Sequence, residues 1–133
     1  MKFENNNRLF DFEQLEVYQL ALELLDRVFT VCRGLPRDVR YSLGDQLIRA
    51  CLSISNNLAE GAGKRSLKEK GRYYGTAIDS ARECISMFNV LQRQECLTKE
   101  SYDEFRGRGR QITAMLHGLI ESLDRPARTL VHR

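Results

Sequence analysis

Apolar residues recur every three or four positions in four separate stretches of this chain, and no stretch alternates apolar with polar residues as a half-buried strand does. This spacing predicts four helices, over residues 11–33, 38–61, 66–95 and 98–125. Because the connections between them are short, consecutive helices are expected to run in opposite directions. We therefore predict an all-α fold, an antiparallel four-helix bundle with up-down-up-down topology.

Turn and capping residues lie at the ends of the predicted helices. Gly34 and Pro36 end the first helix, and Gly61 and Gly63 end the second. A Ser-Leu-Lys-Glu capping box begins the third helix at Ser66. These signals are local, so they support the division into helices independently of the apolar spacing.

The fourth helix has two candidate N-terminal caps, Thr98 and Ser101. It also contains Gly107 and Gly109, each of which costs about 1 kcal/mol relative to alanine inside a helix. Two explanations stay open at this point. Either the glycines let a neighbouring element approach closely, or the first turns of the helix are frayed.

The first two helices each carry a second apolar stripe beside the one that a monomeric bundle buries. Since a single stripe about 100° wide suffices for a monomer, the second stripe predicts contact with another subunit. A broad core face within one subunit is the alternative. The residues assigned to this oligomer interface are Val17, Leu24, Val28, Ile48 and Leu52.

A chain of 133 residues is long enough to form one domain with its own core. We divide it into an N-terminal arm at residues 1–10, the bundle at 11–125 and a basic tail at 126–133. No run of about 18 apolar residues is present to span a bilayer, and the first residues lack the apolar core of a secretion signal. The expected location is therefore the cytoplasm, without membrane contact.

The formal net charge of +3 is distributed unevenly along the chain. Residues 1–26 contain six acidic and two basic side chains, whereas residues 64–72 contain five basic and one acidic. Arginines number 16 against 5 lysines, which suits bidentate contacts with phosphate, although genomic base composition would produce the same bias.

A dense sequence pattern occupies the second half of the second helix and the turn after it. Its residues are Gln46, Arg49, Ala50, Ser53, Ile54, Asn57, Leu58, Ala59, Glu60, Gly61, Gly63 and Lys64. On this pattern the chain resembles the bacterial four-helix-bundle family of proteins encoded in intervening sequences of 23S rRNA genes. The resemblance extends over about residues 10–123. Ala77, Ser80 and Glu83 match a second family motif, in which Asp79 replaces a glycine.

The resemblance implies a bundle that assembles into a ring, typically a homopentamer. The family is also related to the accessory variability determinant protein of diversity-generating retroelements, which works with a reverse transcriptase and nucleic acid. As possible partners the resemblance therefore implies further copies of this chain, RNA or DNA, and a reverse transcriptase.

Four residues of the two motifs are predicted to form a polar cluster where the second and third helices meet: Asn57, Glu60, Ser80 and Glu83. An interhelix hydrogen-bond network is the simplest interpretation, because a buried amide needs partners. A ligand site and a subunit contact are the alternatives. The two carboxylates suggest acid–base chemistry only weakly, since no nucleophile–base pair and no nearby histidine accompany them.

Metal and cofactor sites are not predicted. A di-iron centre in a bundle needs Glu-x-x-His pairs on two helices, but the only histidines are His117 and His132, and Ala114 stands three residues before His117. The four cysteines contain no Cys-x-x-Cys pair, so we interpret them as reduced thiols in or near the core.

Basic residues on the third and fourth helices, and at the turn before the third, are the candidate nucleic-acid-binding site. They are Lys64, Arg65, Lys68, Arg72, Arg82, Arg93, Arg106 and Arg110. Without a base-reading module, binding is expected through the backbone and shape of the nucleic acid. We predict a non-enzymatic nucleic-acid-binding accessory protein, with a reverse transcriptase or an RNA-processing enzyme as its candidate docking partner. The alternative is a structural or protein-docking oligomeric scaffold with no nucleic-acid role.

Overall fold

The computed structural model describes residues 9–124. Four long helices make up most of this region: α1 (Glu16–Arg33), α2 (Asp45–Ala62), α3 (Leu67–Arg93) and α4 (Lys99–Ser122). The described residues contain no strand, so the prediction of an all-α fold is confirmed. The predicted tail at 126–133 and all of the predicted arm except its last two residues lie outside the described region.

Three short elements complete the part of the chain that the structure describes. A 3-10 turn at Asp11–Gln14 precedes α1, and a single α-helical turn at Arg37–Val39 continues through a π-helical turn at Arg40–Gly44 into α2. The first helix therefore begins at Glu16 and not at Asp11, because Leu15 between the turn and the helix has an extended backbone.

Contacts between α2 and α3 show that these helices run in opposite directions. The Sγ atoms of Cys51 and Cys84 lie 3.7 Å apart, and the Oγ atoms of Ser53 and Ser80 lie 2.7 Å apart. As the residue number rises along α2, the number of its partner on α3 falls. Each helix contacts its neighbours in the chain, and α1 also contacts α4, which closes the bundle around one core.

The largest buried side chains come from all four helices, and they include two phenylalanines whose rings stack. The ring centroids of Phe88 and Phe105 lie 4.9 Å apart between α3 and α4. The other fully buried large residues are Leu24, Val28, Leu47, Ile54, Leu58, Leu91, Ile112 and Leu116. Burial of such side chains supplies the main driving force for folding of the bundle.

One of the two apolar stripes of α1, the one with Val17, Leu24 and Val28, is buried within the single chain. Leu24 and Val28 have no exposed surface, and Val17 is 4% exposed. The prediction that these three side chains contact another subunit is corrected, because they have no free surface to offer. Ile48 is half-buried, and Leu52 is 37% exposed, so only these two members of the predicted interface reach the surface.

The ends of α3 and α4 follow from local hydrogen bonds. The Ser66 hydroxyl accepts a hydrogen bond from the backbone N–H of Glu69, and the Thr98 hydroxyl caps α4 in the same way, so Ser101 is not the cap. The third helix ends at Arg93, two residues before the predicted end, since Glu95 has a left-handed backbone with φ of 59°.

Glycines mark two close contacts between helices. A Cβ placed on Gly61 would lie 2.7 Å from the ring of Tyr74, and one placed on Gly109 would lie 2.9 Å from Ile85. The explanation that Gly109 allows close approach therefore holds. Gly107 has no neighbouring atom within 4 Å of such a Cβ.

Candidate nucleic-acid interface

A groove of about 310 Å³ runs between α3 and α4. Its lining consists of Arg82, Ile85, Arg106, Arg110, Thr113, Ala114 and His117. Three of the predicted nucleic-acid-binding residues therefore share one concave surface, together with His117, which was not among the predicted binding residues.

Helical spacing positions the cations on the α4 side of the groove. Arg106 and Arg110 are one turn apart, about 6 Å along the axis, and His117 follows about 10 Å further on. Arg82 faces them from α3, and the missing side chain of Gly109 lets Ile85 of α3 come within contact distance of α4. The result is a short row of basic groups that spans two helices.

The arginines of the groove are not neutralised by acidic side chains. Within residues 9–124, Arg82, Arg106 and Arg110 form no ion pair. Nη1 of Arg106 instead donates to the side-chain oxygen of Asn89 over 2.9 Å, and the same oxygen accepts the Tyr102 hydroxyl over 2.7 Å. These neutral partners position Arg106 and leave its charge uncompensated.

The basic residues around the start of α3 differ, because acidic residues pair with two of them. Lys64 lies 3.7 Å from Glu60, and Arg72 lies 3.0 Å from Glu69. The hydrogen bond from Arg72 holds the pKa of Glu69 below its usual value. Both cations also lie over the ring of Tyr73, at 5.2 and 4.7 Å from its centroid. An incoming anion would have to compete with these contacts.

The remaining predicted binding residues lie outside the groove. Arg65 and Lys68 are exposed at the start of α3, and Arg93 is exposed at its end. None of the three forms an ion pair with another residue of the described region. They add positive charge on either side of the groove without sharing its lining.

The four residues of the predicted polar cluster separate into two groups. Nδ2 of Asn57 donates to the carbonyl oxygen of Ser53 over 2.8 Å and contacts its hydroxyl at 3.0 Å. The Ser53 and Ser80 hydroxyls share a hydrogen bond of 2.7 Å, which joins α2 to α3. Glu60 and Glu83 are both exposed and take no part in this network.

Ser53 connects the network, yet it was missing from the predicted cluster. The signal for it was present in the sequence, since Ser53 precedes Asn57 by four residues and so shares its helix face. All of the hydrogen bonds in the network are internal, so its geometry serves helix packing and offers no aligned catalytic groups.

Two of the buried thiols, those of Cys32 and Cys84, have a raised pKa that favours the protonated form. Burial raises the pKa of Cys32 to about 11, while a hydrogen bond to Cys51, reinforced by burial, raises the pKa of Cys84. A thiol with a raised pKa is a weak nucleophile and a poor metal ligand at neutral pH. No group of three or more His, Cys, Asp or Glu side chains suited to a metal occurs in the part of the chain that the structure describes. Over the same residues, no helix is long and apolar enough to cross a membrane.

A solved structure has the same fold as this chain. It is a protein of unknown function from the S23 ribosomal protein family of Bacteroides thetaiotaomicron. The two chains align with a TM-score of 0.74 and 23% sequence identity, over 79% of this chain and 95% of the other. A comparison with curated protein sequences returned no match.

The family comparison covers the motif, the groove and most of the bundle. The model of the 23S rRNA-intervening sequence protein family matches residues 13–118. This span extends from the end of the 3-10 turn into the last two turns of α4, and it includes the whole lining of the groove. The chain therefore belongs to the 23S rRNA-intervening sequence protein family.

Proposed function

We propose that this protein is a non-enzymatic nucleic-acid-binding accessory protein whose binding site is the groove between α3 and α4. The observation that carries the proposal is the meeting of Arg82, Arg106 and Arg110 in one groove with no acidic partner among the described residues. Guanidinium groups bind phosphate through paired hydrogen bonds, so an unpaired set favours a polyanion.

The proposed binding is directed at the sugar–phosphate backbone. Neutralising phosphates releases counterions, and this makes affinity fall steeply as salt rises. Arg65, Lys68 and Arg93 would extend the contact beyond the groove as exposed cations. Lys64 and Arg72 would contribute less, because binding there would disturb existing ion pairs.

We further propose that the protein acts in the cytoplasm as a homopentameric ring, as the family resemblance implies. A ring would repeat the groove around its circumference and so multiply the number of phosphate contacts. In this arrangement an RNA-processing enzyme or a reverse transcriptase would be the partner to which the ring delivers nucleic acid.

Titration of labelled RNA and DNA at two salt concentrations tests the nucleic-acid proposal. We expect binding at about 50 mM salt that weakens by orders of magnitude at about 200 mM, since each phosphate contact adds to the salt dependence. Fluorescence anisotropy measures both affinities. Absence of binding at the lower concentration would remove this function from consideration.

A protein-docking scaffold is the second candidate, favoured by an exposed apolar strip. Tyr41 is 61% exposed and Leu52 is 37% exposed, and half-buried Ile48 lies between them in the sequence. We expect Leu52→Glu to release smaller species from an oligomer without loss of helix content, because the residue is on the surface. Light scattering and circular dichroism measure the two properties. An oligomer that survives the substitution would exclude this strip as the contact.

A further inference from the structure

The lining of the α3–α4 groove combines cations with apolar groups. Ile85, Thr113 and Ala114 accompany the three arginines and His117. The hydroxyl of Thr113 donates to the carbonyl oxygen of Gly109 over 2.8 Å, so within the helix it has already used its one hydrogen-bond donor. A ligand that fills the groove must therefore offer apolar or flat surface as well as negative charge.

A duplex does not meet both requirements. Its phosphates lie on the outside of a broad, convex surface, while its bases are stacked and paired inside. A groove between two adjacent helices would meet only the phosphates, and its apolar lining would stay uncovered. A single strand can turn a base or a ribose into the groove while its phosphates remain beside the arginines.

The dimensions of the groove agree with a short length of single strand. Its volume of about 310 Å³ lies at the lower end of the range for small-molecule pockets. Arg106 and Arg110 are about 6 Å apart along the helix axis, a separation that allows contact with successive phosphates. Guanidinium planes also stack on bases, so the same arginines can contact either part of a nucleotide.

We infer that the α3–α4 groove holds single-stranded nucleic acid, with a nucleoside against Ile85 and Ala114 and the flanking phosphates on Arg82, Arg106 and Arg110. This inference rests on the proposed nucleic-acid function and adds the strandedness of the substrate to it. It also predicts contact with a base or sugar, which backbone binding alone does not require.

The first test compares a labelled single strand with a duplex of the same sequence. We expect the single strand to bind roughly tenfold more tightly, which is within the range that one stacked base contributes. A fluorescent base analogue, 2-aminopurine, in the single strand should change its emission on binding, because the base enters the groove. Equal affinity for the two forms, or unchanged emission at saturation, would overturn the inference.

The second test fills the groove without altering charge. Ala114 is exposed in the groove, so Ala114→Leu places a branched apolar side chain where the nucleoside would lie, without adding an aromatic ring on which a base could stack. We expect roughly tenfold weaker binding of the single strand and a smaller loss for the duplex, whose bases do not enter the groove. Gln111→Leu is the matched control, because Gln111 is exposed on the same helix but does not line the groove.

The outcomes separate the inference from the function on which it rests. If neither the single strand nor the duplex binds at low salt, the proposed function fails and the inference fails with it. If both bind equally and Ala114→Leu binds the single strand like the wild type, only the inference fails. The nucleic acid would then contact the arginines from outside the groove. Circular dichroism of each variant checks that the bundle is folded.

Discussion

Gly61 is the residue at which the family motif has a clear packing role. It lies in the last turn of α2, where the ring of Tyr74 and the Cβ atom of Tyr73, both from α3, leave no room for a side chain. Tyr74 is only 3% exposed, so its ring is surrounded and cannot move aside freely. The glycine is thus required by the contact between helices as well as by the turn that follows.

We expect Gly61→Ala to destabilise the protein by about 1–3 kcal/mol, because the added methyl group overpacks a filled site. Gly107→Ala is the control, since that position has open space around it. Alanine there should stabilise the helix by up to about 1 kcal/mol. Urea denaturation followed by circular dichroism measures both changes. A neutral Gly61→Ala variant would contradict the close contact with Tyr74.

At the scale of the element, substitutions on α1 and α2 test which apolar side chains the single chain buries. Leu24 is fully buried, so Leu24→Ala should leave a cavity and lower the free energy of unfolding by about 2–5 kcal/mol. Leu52→Ala on the surface of α2 should change it by no more than about 0.5 kcal/mol. A Leu24→Ala variant with unchanged stability but altered oligomer size would show that Leu24 is an interface residue.

A charged network joins α1 to α4. The guanidinium of Arg27 forms hydrogen bonds of 3.0 and 3.1 Å to the two carboxylate oxygens of Glu104. Arg108 donates to Glu104 over 2.9 Å and also lies 3.4 Å from Glu23. The hydrogen bond from Arg27 is the largest of the effects that hold the pKa of Glu104 below its ordinary value of 4.5.

This pKa shift predicts how stability changes in acid. A carboxyl group whose pKa is lowered by folding stabilises the native state above its unfolded pKa, and the contribution is lost as the pH falls through the folded pKa. We therefore expect Glu104→Gln to be less stable than the wild type at pH 7. The difference should narrow as the pH falls below about 4.5 and close only once the pH is below the lowered pKa of the native Glu104 carboxyl.

Denaturant titrations at several pH values measure this difference. Glu83→Gln is a suitable control, because Glu83 is exposed and no ion pair joins it to another residue in the described part of the chain. A constant difference between wild type and Glu104→Gln from pH 7 to pH 3 would mean that the carboxylate charge contributes nothing to the contact between α1 and α4.

Helices and their ends were accessible from the sequence because their signals are local. The apolar spacing, Ser66 and Thr98 each act within a few residues, and the structure has four long helices close to the predicted spans. Whether the same chain or another subunit covers the second apolar stripe could not be predicted, because spacing along a helix does not reveal what covers each face. Val28 shows the difference, since the monomer core itself buries it.

The candidate groove could not be predicted from residue spacing within one helix. The sequence placed Arg82 on one helix and Arg106 and Arg110 on another, but only packing shows that they line the same surface. Whether an acidic side chain pairs with a given cation also depends on the rotamers of both and on their neighbours. In the sequence, the basic residues around the start of α3 looked as available to bind phosphate as those of the groove. The structure instead pairs Lys64 and Arg72 with acidic side chains.

Two surfaces of the described bundle differ in charge. The exposed side of α1 carries acidic residues such as Glu16 and Asp26, while the α3–α4 groove is lined by arginines. A polyanion would therefore be favoured at the groove over the acidic positions of α1. If the protein forms the proposed ring, this polarity would decide which face of the ring is free to meet nucleic acid.

The central claim, that nucleic acid binds in the α3–α4 groove, is tested most directly by reversing charge there. Arg82→Glu/Arg110→Glu should be compared with Arg33→Glu/Arg37→Glu, whose exposed arginines lie away from the groove and whose net charge changes equally. At about 50 mM salt, we predict that the groove variant binds a labelled single-stranded RNA about a hundredfold more weakly or worse, because like charges now face each other. The control should bind nearly as well as the wild type. Equal loss in both variants, or no loss in the groove variant, would contradict the account.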